Sequence, residues 1–328
     1  MNQSLIETEN PAHINQILEE YGVCILKNVL NSEECRRLTQ GMIEALEYVT
    51  SDLPKPFRLE DKATWKTLES LYPAKRMMYQ HWSLGHSQFI WDVRCNPKVI
   101  NAFATIWGTD DLLVSFDGMA FHLPPEENHK PWQKGHWYHT DQSFIKDSRE
   151  CIQGQINGFD TNEGDATLVV LVGSHKHHQE YGQINNLTSP RDWYLIEDIR
   201  FFTEEKGCIE HRITCPKGSL VLWDSRTIHY GSEPLRSRKI PNYRALVYLC
   251  YTPREKLPNE EMRRKKIEYF ENLRVTNHWP HLSPISQGLM VNTYRKIKSR
   301  RFHHQSFHRT AIASSDMKME RKSNHILF

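Results

Sequence analysis

No apolar run in this chain approaches the ~20 residues that cross a membrane. The opening, Met1 to Asn10, is polar and lacks the apolar centre of a secretory signal. No C-x-x-C pair occurs. The seven cysteines (Cys24, Cys35, Cys95, Cys151, Cys208, Cys215 and Cys250) are odd in number and widely spaced. That argues against a disulfide framework and against a zinc ribbon. Free thiols in a reducing compartment are expected instead, with the cytoplasm as the location. Internal repeats, low-complexity blocks and a CoA or nucleotide fingerprint are all missing. Charge of one sign is also missing: the formal net charge is only +2, so no global field selects an acidic partner.

What is present is ordinary for a globular protein. The chain has 328 residues, 38% of them hydrophobic and 25% charged, enough for one large domain or two small ones. Its 9 tryptophans and 13 tyrosines suit a well-packed core or an aromatic-lined cavity. Ile14, Ile17, Leu18 and Tyr21 recur at helical spacing, and Gly22 can end that helix. Val23 to Val29 reads as a strand. Asn31, with Glu34 three residues on, starts a second helix whose apolar face is Leu38, Met42, Ala45, Leu46 and Val49. Residues 50 to 110 are mixed, with helical signals from Pro97 to Ile106.

From Leu112 the character changes. Leu112–Phe116, Cys151–Phe159, Thr167–Val172, Gly218–Trp223 and Arg244–Tyr251 are short strand-like runs separated by polar turns. That pattern predicts a mainly β jelly roll or barrel with flanking helices, not a parallel α/β sheet. A charged helix is expected over about 258–275, capped by Asn259, with Met262, Tyr269, Phe270 and Leu273 on its buried side. The expected organisation is a single domain over 1–293. It has a helical part to 110, a β core over about 112–252, and a loosely ordered basic tail from 294 to 328.

The chemistry concentrates in His139-Thr140-Asp141, His229 and Arg244. Alternate residues on an extended chain point the same way, so His139 and Asp141 can reach one ion with Thr140 facing away. His229 would complete two nitrogens and one carboxylate on one face, leaving open positions on ferrous iron. An isolated H-x-D arises easily in a chain with 18 histidines. The aromatic approach Gly135-His136-Trp137-Tyr138 and the strand before His229 favour the metal reading. His136 competes with His139, but the two-residue offset to Asp141 suits a strand edge better. Arg244 opens an apolar strand and needs an anion, such as the far carboxylate of an oxo-diacid. Arg238, in a polar loop and expected to be solvated, and Arg226, expected to orient its own turn, are the competitors. Gln153, Gln155 and Asn157 share one strand face, which is expected to line the barrel lumen near cosubstrate or substrate. His175, His177 and His178 are expected on a surface loop, and His303, His304 and His308 in solvent.

These residues carry a resemblance. Trp137-Tyr-His139-Thr-Asp141-Gln142, Val172-Gly-Ser-His175, Lys217 to Trp223, His229-Tyr-Gly231 and the Arg244 strand resemble the phytanoyl-CoA dioxygenase-like group of Fe(II)/2-oxoglutarate oxygenases. The resemblance spans roughly residues 112 to 252 and implies a double-stranded β-helix. It implies iron on His139, Asp141 and His229, 2-oxoglutarate on Arg244, and O2 as the oxidant. Asn157 is the candidate for an aromatic or basic cosubstrate contact that has no other match. Because Asp141 is present, the resemblance implies hydroxylation of a small molecule rather than halogenation, with release of succinate and CO2. Two other classes are carried as alternatives. One is a cupin-type metal enzyme without 2-oxoglutarate. The other is a nucleic-acid binder using Arg263-Arg-Lys-Lys266 and the tail Arg295 to Arg309, although acidic residues flank that segment.

Overall fold

The computed structural model describes residues 1–71, 78–128 and 135–281. The expected tail, with its histidines and the boundary at residue 294, lies outside the described residues. In chain order the strands begin with β1 (Glu7–Thr8), β2 (Val23–Leu26), β3 (Leu112–Val114) and β4 (Met119–His122). Then follow β5 (His139–Thr140), β6 (Ile152–Asn157), β7 (Thr167–Val172) and β8 (Tyr194–Leu195). The last are β9 (Ile209–Arg212), β10 (Leu220–Asp224), β11 (His229–Ser232) and β12 (Arg244–Pro253). They form a seven-stranded sheet in the order β1-β2-β10-β6-β12-β3, with β4 also on β12, and a five-stranded sheet in the order β8-β5-β11-β7-β9. All pairings except β1–β2 are antiparallel, the arrangement of a jelly roll.

Helices cover the outer face of the larger sheet. α1 (Ile14–Tyr21) ends on Gly22 in the left-handed conformation, as its spacing predicts. α2 (Ser32–Val49) starts with the Asn31/Glu34 capping box and buries Leu38, Met42, Ala45, Leu46 and Val49. α3 (Gln88–Arg94) and α4 (Pro97–Trp107) complete the layer. Period-two alternation decides which side chains meet them. Ile152 and Ile156 of β6, Leu220 and Leu222 of β10, and Val247 and Leu249 of β12 join the helix-facing core. Gly158, just past β6, has no side chain because a Cβ there would meet Leu38 and Thr39 of α2 at 2.8 and 2.6 Å. The alternate residues of the same strands face the second sheet. Val221 and Trp223 pack there with Leu168 and Val170 of β7.

Three expectations need correction. The helix α5 spans Glu260–Glu271; Tyr269 and Phe270 pack against the core as expected, but its one buried residue is the basic Lys266, and Met262 and Leu273 are half-buried. The Lys266 ammonium is bonded to the Val114 carbonyl at 2.6 Å and sits over the Phe116 ring. Burial pushes its pKa down to about 7. Arg263 and Lys265 pair with Glu260 and Glu261, so the four basic residues do not form one free cationic face. Arg238 is not solvated. Its side chain is 2% exposed and bridges Glu126 and Asp165, reaching back over Gly164, whose positive φ and missing Cβ leave room for it. His175 and His178 are not on a surface loop. His175 bonds the Glu19 carbonyl and His178 the Gln142 carbonyl, both buried, so they tie neighbouring segments together. Among the described residues no helix is long and apolar enough to cross a membrane, and the seven cysteines are free thiols.

Candidate metal centre

The strand register builds the centre. His139 of β5 lies directly opposite His229 of β11, and both point between the sheets. Their outward neighbours, Tyr138 and Tyr230, pack in a separate outer cluster, as alternation requires. Asp141 follows two residues after His139, and its backbone N–H donates to the Ser225 carbonyl. The turn carrying Ser225 is stiffened by Arg226, which grips the fully buried Asp224 through Nε and Nη2 at 2.9 and 2.8 Å. Arg226 therefore orients its turn, as the sequence suggests, and is occupied in doing so.

One atom from each of His139, Asp141 and His229 lies within 4.8 Å of the others. The Nε2 atoms of His229 and His139 stand 3.3 and 3.7 Å from Asp141 Oδ2. Each Nδ1 faces a backbone carbonyl, Trp137 at 3.0 Å and Thr227 at 2.8 Å. A carbonyl can only accept, so each Nδ1 carries the proton and each Nε2 presents a lone pair to the centre. Gln153 Nε2 donates to Asp141 Oδ2 at 3.0 Å, and the Trp137 ring stacks on His139 at 4.5 Å. Burial, then the charge of His229, lowers the His139 pKa. For Asp141, burial works upward, but His278, His139 and His229 outweigh it and hold the carboxyl well below the usual range. Two neutral imidazoles and an ionised carboxylate on one face are the donor set that ferrous iron takes.

The triad opens into a cavity of about 640 Å³. Arg244 and Tyr248 of β12 and Gln153 and Gln155 of β6 line it, all from inward-facing positions of adjacent strands. Arg244 is 7% exposed and makes one hydrogen bond, to Gln155 Oε1 at 3.5 Å. Among the described residues no carboxylate pairs with its guanidinium. Asn157 is buried on the same strand face but gives its amide nitrogen to Thr161 and Cys215, and it is not among the cavity-lining residues. His136 is exposed and bonds Tyr230 instead of joining the triad. Sequence reasoning passed over Tyr248, although its even spacing from Arg244 puts it on the same strand face. It also passed over Gln80, Asp117 and His278, which line the cavity from segments without a motif.

The family model for phytanoyl-CoA dioxygenase matches residues 18–241. The chain belongs to the phytanoyl-CoA dioxygenase family. As a member it is an oxygenase that depends on iron, 2-oxoglutarate and O2. A curated relative, Ava biosynthesis cluster protein O of Aspergillus versicolor, is 28% identical over 269 residues, covering 79% of this chain and 83% of that one. Among solved structures, a hypothetical protein of Escherichia coli shares the fold, with a TM-score of 0.56 and 14% identity over 88% of this chain and 82% of that chain. The iron-bound EctD of S. alaskensis matches at a TM-score of 0.47 and 11% identity over 77% and 78% of the two chains. The family match contains His139, Asp141 and His229 and stops just before Arg244.

Proposed function

We propose that this family member hydroxylates a small-molecule substrate, with His139, Asp141 and His229 holding iron and Arg244 anchoring 2-oxoglutarate. The observation that carries the reading is the convergence of three ligand atoms with an uncompensated arginine in one cavity. When bound, iron, 2-oxoglutarate and O2 would supply the oxidising chemistry: one oxygen atom of O2 goes into succinate as 2-oxoglutarate loses CO2, and the other turns a substrate C–H into C–OH. The chain's own part is positional and electrostatic. The Trp137 and Thr227 carbonyls fix the imidazole tautomers, and Gln153 orients the Asp141 carboxylate. Arg244, deep in the cavity, presents a planar fork to the far carboxylate of the oxo acid, and Gln155 steadies that fork. The Trp137 and Trp193 rings pack against His139 and the Trp223 ring against His229, giving the triad an aromatic surround. The Asp141 carboxylate supports hydroxylation over halogenation, since a halide would need its place. The free thiols are consistent with work in the cytoplasm.

His139→Ala and Asp141→Ala should each abolish iron-dependent succinate release from 2-oxoglutarate. Undiminished release by either variant would remove the triad from the reaction.

A further inference from the structure

The metal and cosubstrate groups occupy one side of the cavity. On another part of its wall stands Asp117, a carboxylate to which the reaction described above gives no task. Its position is tightly built. It lies in the turn between β3 and β4, where Tyr79 and Met119 form a β-bridge and Tyr248 donates its backbone N–H to the Gly118 carbonyl. The fully buried Arg94 donates to the Asp117 backbone carbonyl at 2.6 Å, not to the carboxylate. Oδ1 accepts from Gln80 Nε2 at 2.6 Å and from the Gly118 N–H at 2.7 Å. Oδ2 has no hydrogen-bond donor, and no lysine or arginine pairs with this carboxylate, among the described residues. Asp117 is nevertheless only 4% exposed.

Oδ2 is not among the buried atoms left without a partner, so it faces the cavity, where a ligand cation or donor would reach a carboxylate otherwise shielded from bulk solvent. Burial raises the Asp117 pKa, which a cation alongside would reverse. The surroundings select the kind of cation. Tyr248, Trp137, Trp193 and Trp279 supply flat apolar walls, which favour a ring framework and can face a positive charge. The nearby Lys146 cannot serve, because Asp192 holds it at 2.7 and 2.8 Å. His278 lines the same cavity.

We propose that Asp117 is a specificity-determining residue, and that the substrate carries a protonated amine on a flat, largely apolar ring framework. The amine pairs with Asp117 Oδ2 while the rings lie between the tryptophans. This inference rests on the oxygenase reading for the identity of the other groups in the cavity.

The test uses the whole protein loaded anaerobically with Fe(II) and 2-oxoglutarate, and three matched probes: tryptamine, tryptophol and 3-ethylindole. Calorimetry should find tryptamine bound at least about tenfold tighter than the other two, the scale of one partly buried ion pair. Asp117→Asn should level the three to within about twofold, the remainder being ring burial common to all. Iron and 2-oxoglutarate binding, followed by the visible colour of their complex, should be unchanged in Asp117→Asn, which also shows that the variant is folded. Equal binding of the three probes by the wild-type protein, no binding of tryptamine, or a preference that survives Asp117→Asn would each overturn the proposal. The wild-type probe comparison does not depend on the variant folding. Failure of the coloured complex to form in the wild-type protein would instead overturn the oxygenase reading, and the calorimetric preference would stand or fall separately.

Discussion

Replacing Arg244 by alanine probes a buried cation of the cavity that no carboxylate among the described residues pairs with. Its guanidinium is 7% exposed and reaches only the neutral Gln155 amide oxygen. The competing arginines are already engaged, Arg226 with Asp224 and Arg238 with Glu126 and Asp165. At this burial, solvent screening is weak, so the scale for surface pairs does not apply. Truncating one partner of a buried, hydrogen-bonded charge pair costs about 2–5 kcal/mol, which at ~1.4 kcal/mol per decade is roughly 30- to 4,000-fold in affinity. Arg244→Ala should therefore weaken 2-oxoglutarate binding by about two to three orders of magnitude, and leave iron binding by His139, Asp141 and His229 near its wild-type value. Arg244→Lys should fall between, since it keeps the charge but loses the planar fork. Anaerobic titration of 2-oxoglutarate into the iron-loaded protein, followed by absorbance, measures the first quantity; iron titration measures the second. Equal 2-oxoglutarate affinity in wild type and Arg244→Ala would refute the reasoning and move the anchor elsewhere in the cavity.

Gln153→Leu removes the amide that orients Asp141 and should weaken iron binding about 10- to 100-fold while sparing 2-oxoglutarate contacts, as iron titration would reveal; an unchanged iron affinity would make Gln153 a bystander. Acid should also destabilise the fold through its buried histidines. Burial pushes His178 and His281 down to about 4, whereas an unfolded histidine protonates near ~6.5. Between those values the unfolded chain holds more protons, so stability present above pH ~6.5 declines as pH falls and is lost by about pH 4, roughly 3 kcal/mol per histidine. His178→Gln keeps a donor for the Gln142 carbonyl without titrating, so urea denaturation at pH 7 and pH 5 should show a smaller loss than wild type. Identical losses in the two proteins would exclude His178 as a source.

Much of this molecule was legible before any coordinates. Thr167–Val172 coincides with β7 because a continuous apolar run is what a strand buried on both faces requires. The helix over Ser32–Val49 was readable from its capping box and apolar face, since both signals are local. The helix from Pro97 was readable from proline at the first helical position. The H-x-D pair was readable for the same reason: two-residue spacing on an extended chain puts both side chains on one side. The misreadings concern residues whose surroundings come from distant segments. Lys266 is buried because the edge of the β core offers it the Val114 carbonyl and the Phe116 ring, and nothing within its helix reveals that. Arg238 sits in a polar loop, yet its partners Glu126 and Asp165 are far along the chain.

Sequence alone determined which side chains could bind a metal, which strand faces would turn inward and which family the chain resembles, because composition and period two or 3.6 are properties of the chain itself. Tertiary structure decided that His139 faces His229 across one strand pair, that Arg244 rather than Arg226 or Arg238 is left uncompensated, and that Asp117 and His278 share the cavity. Register, burial and charge pairing depend on which segments meet, and local spacing does not encode that meeting.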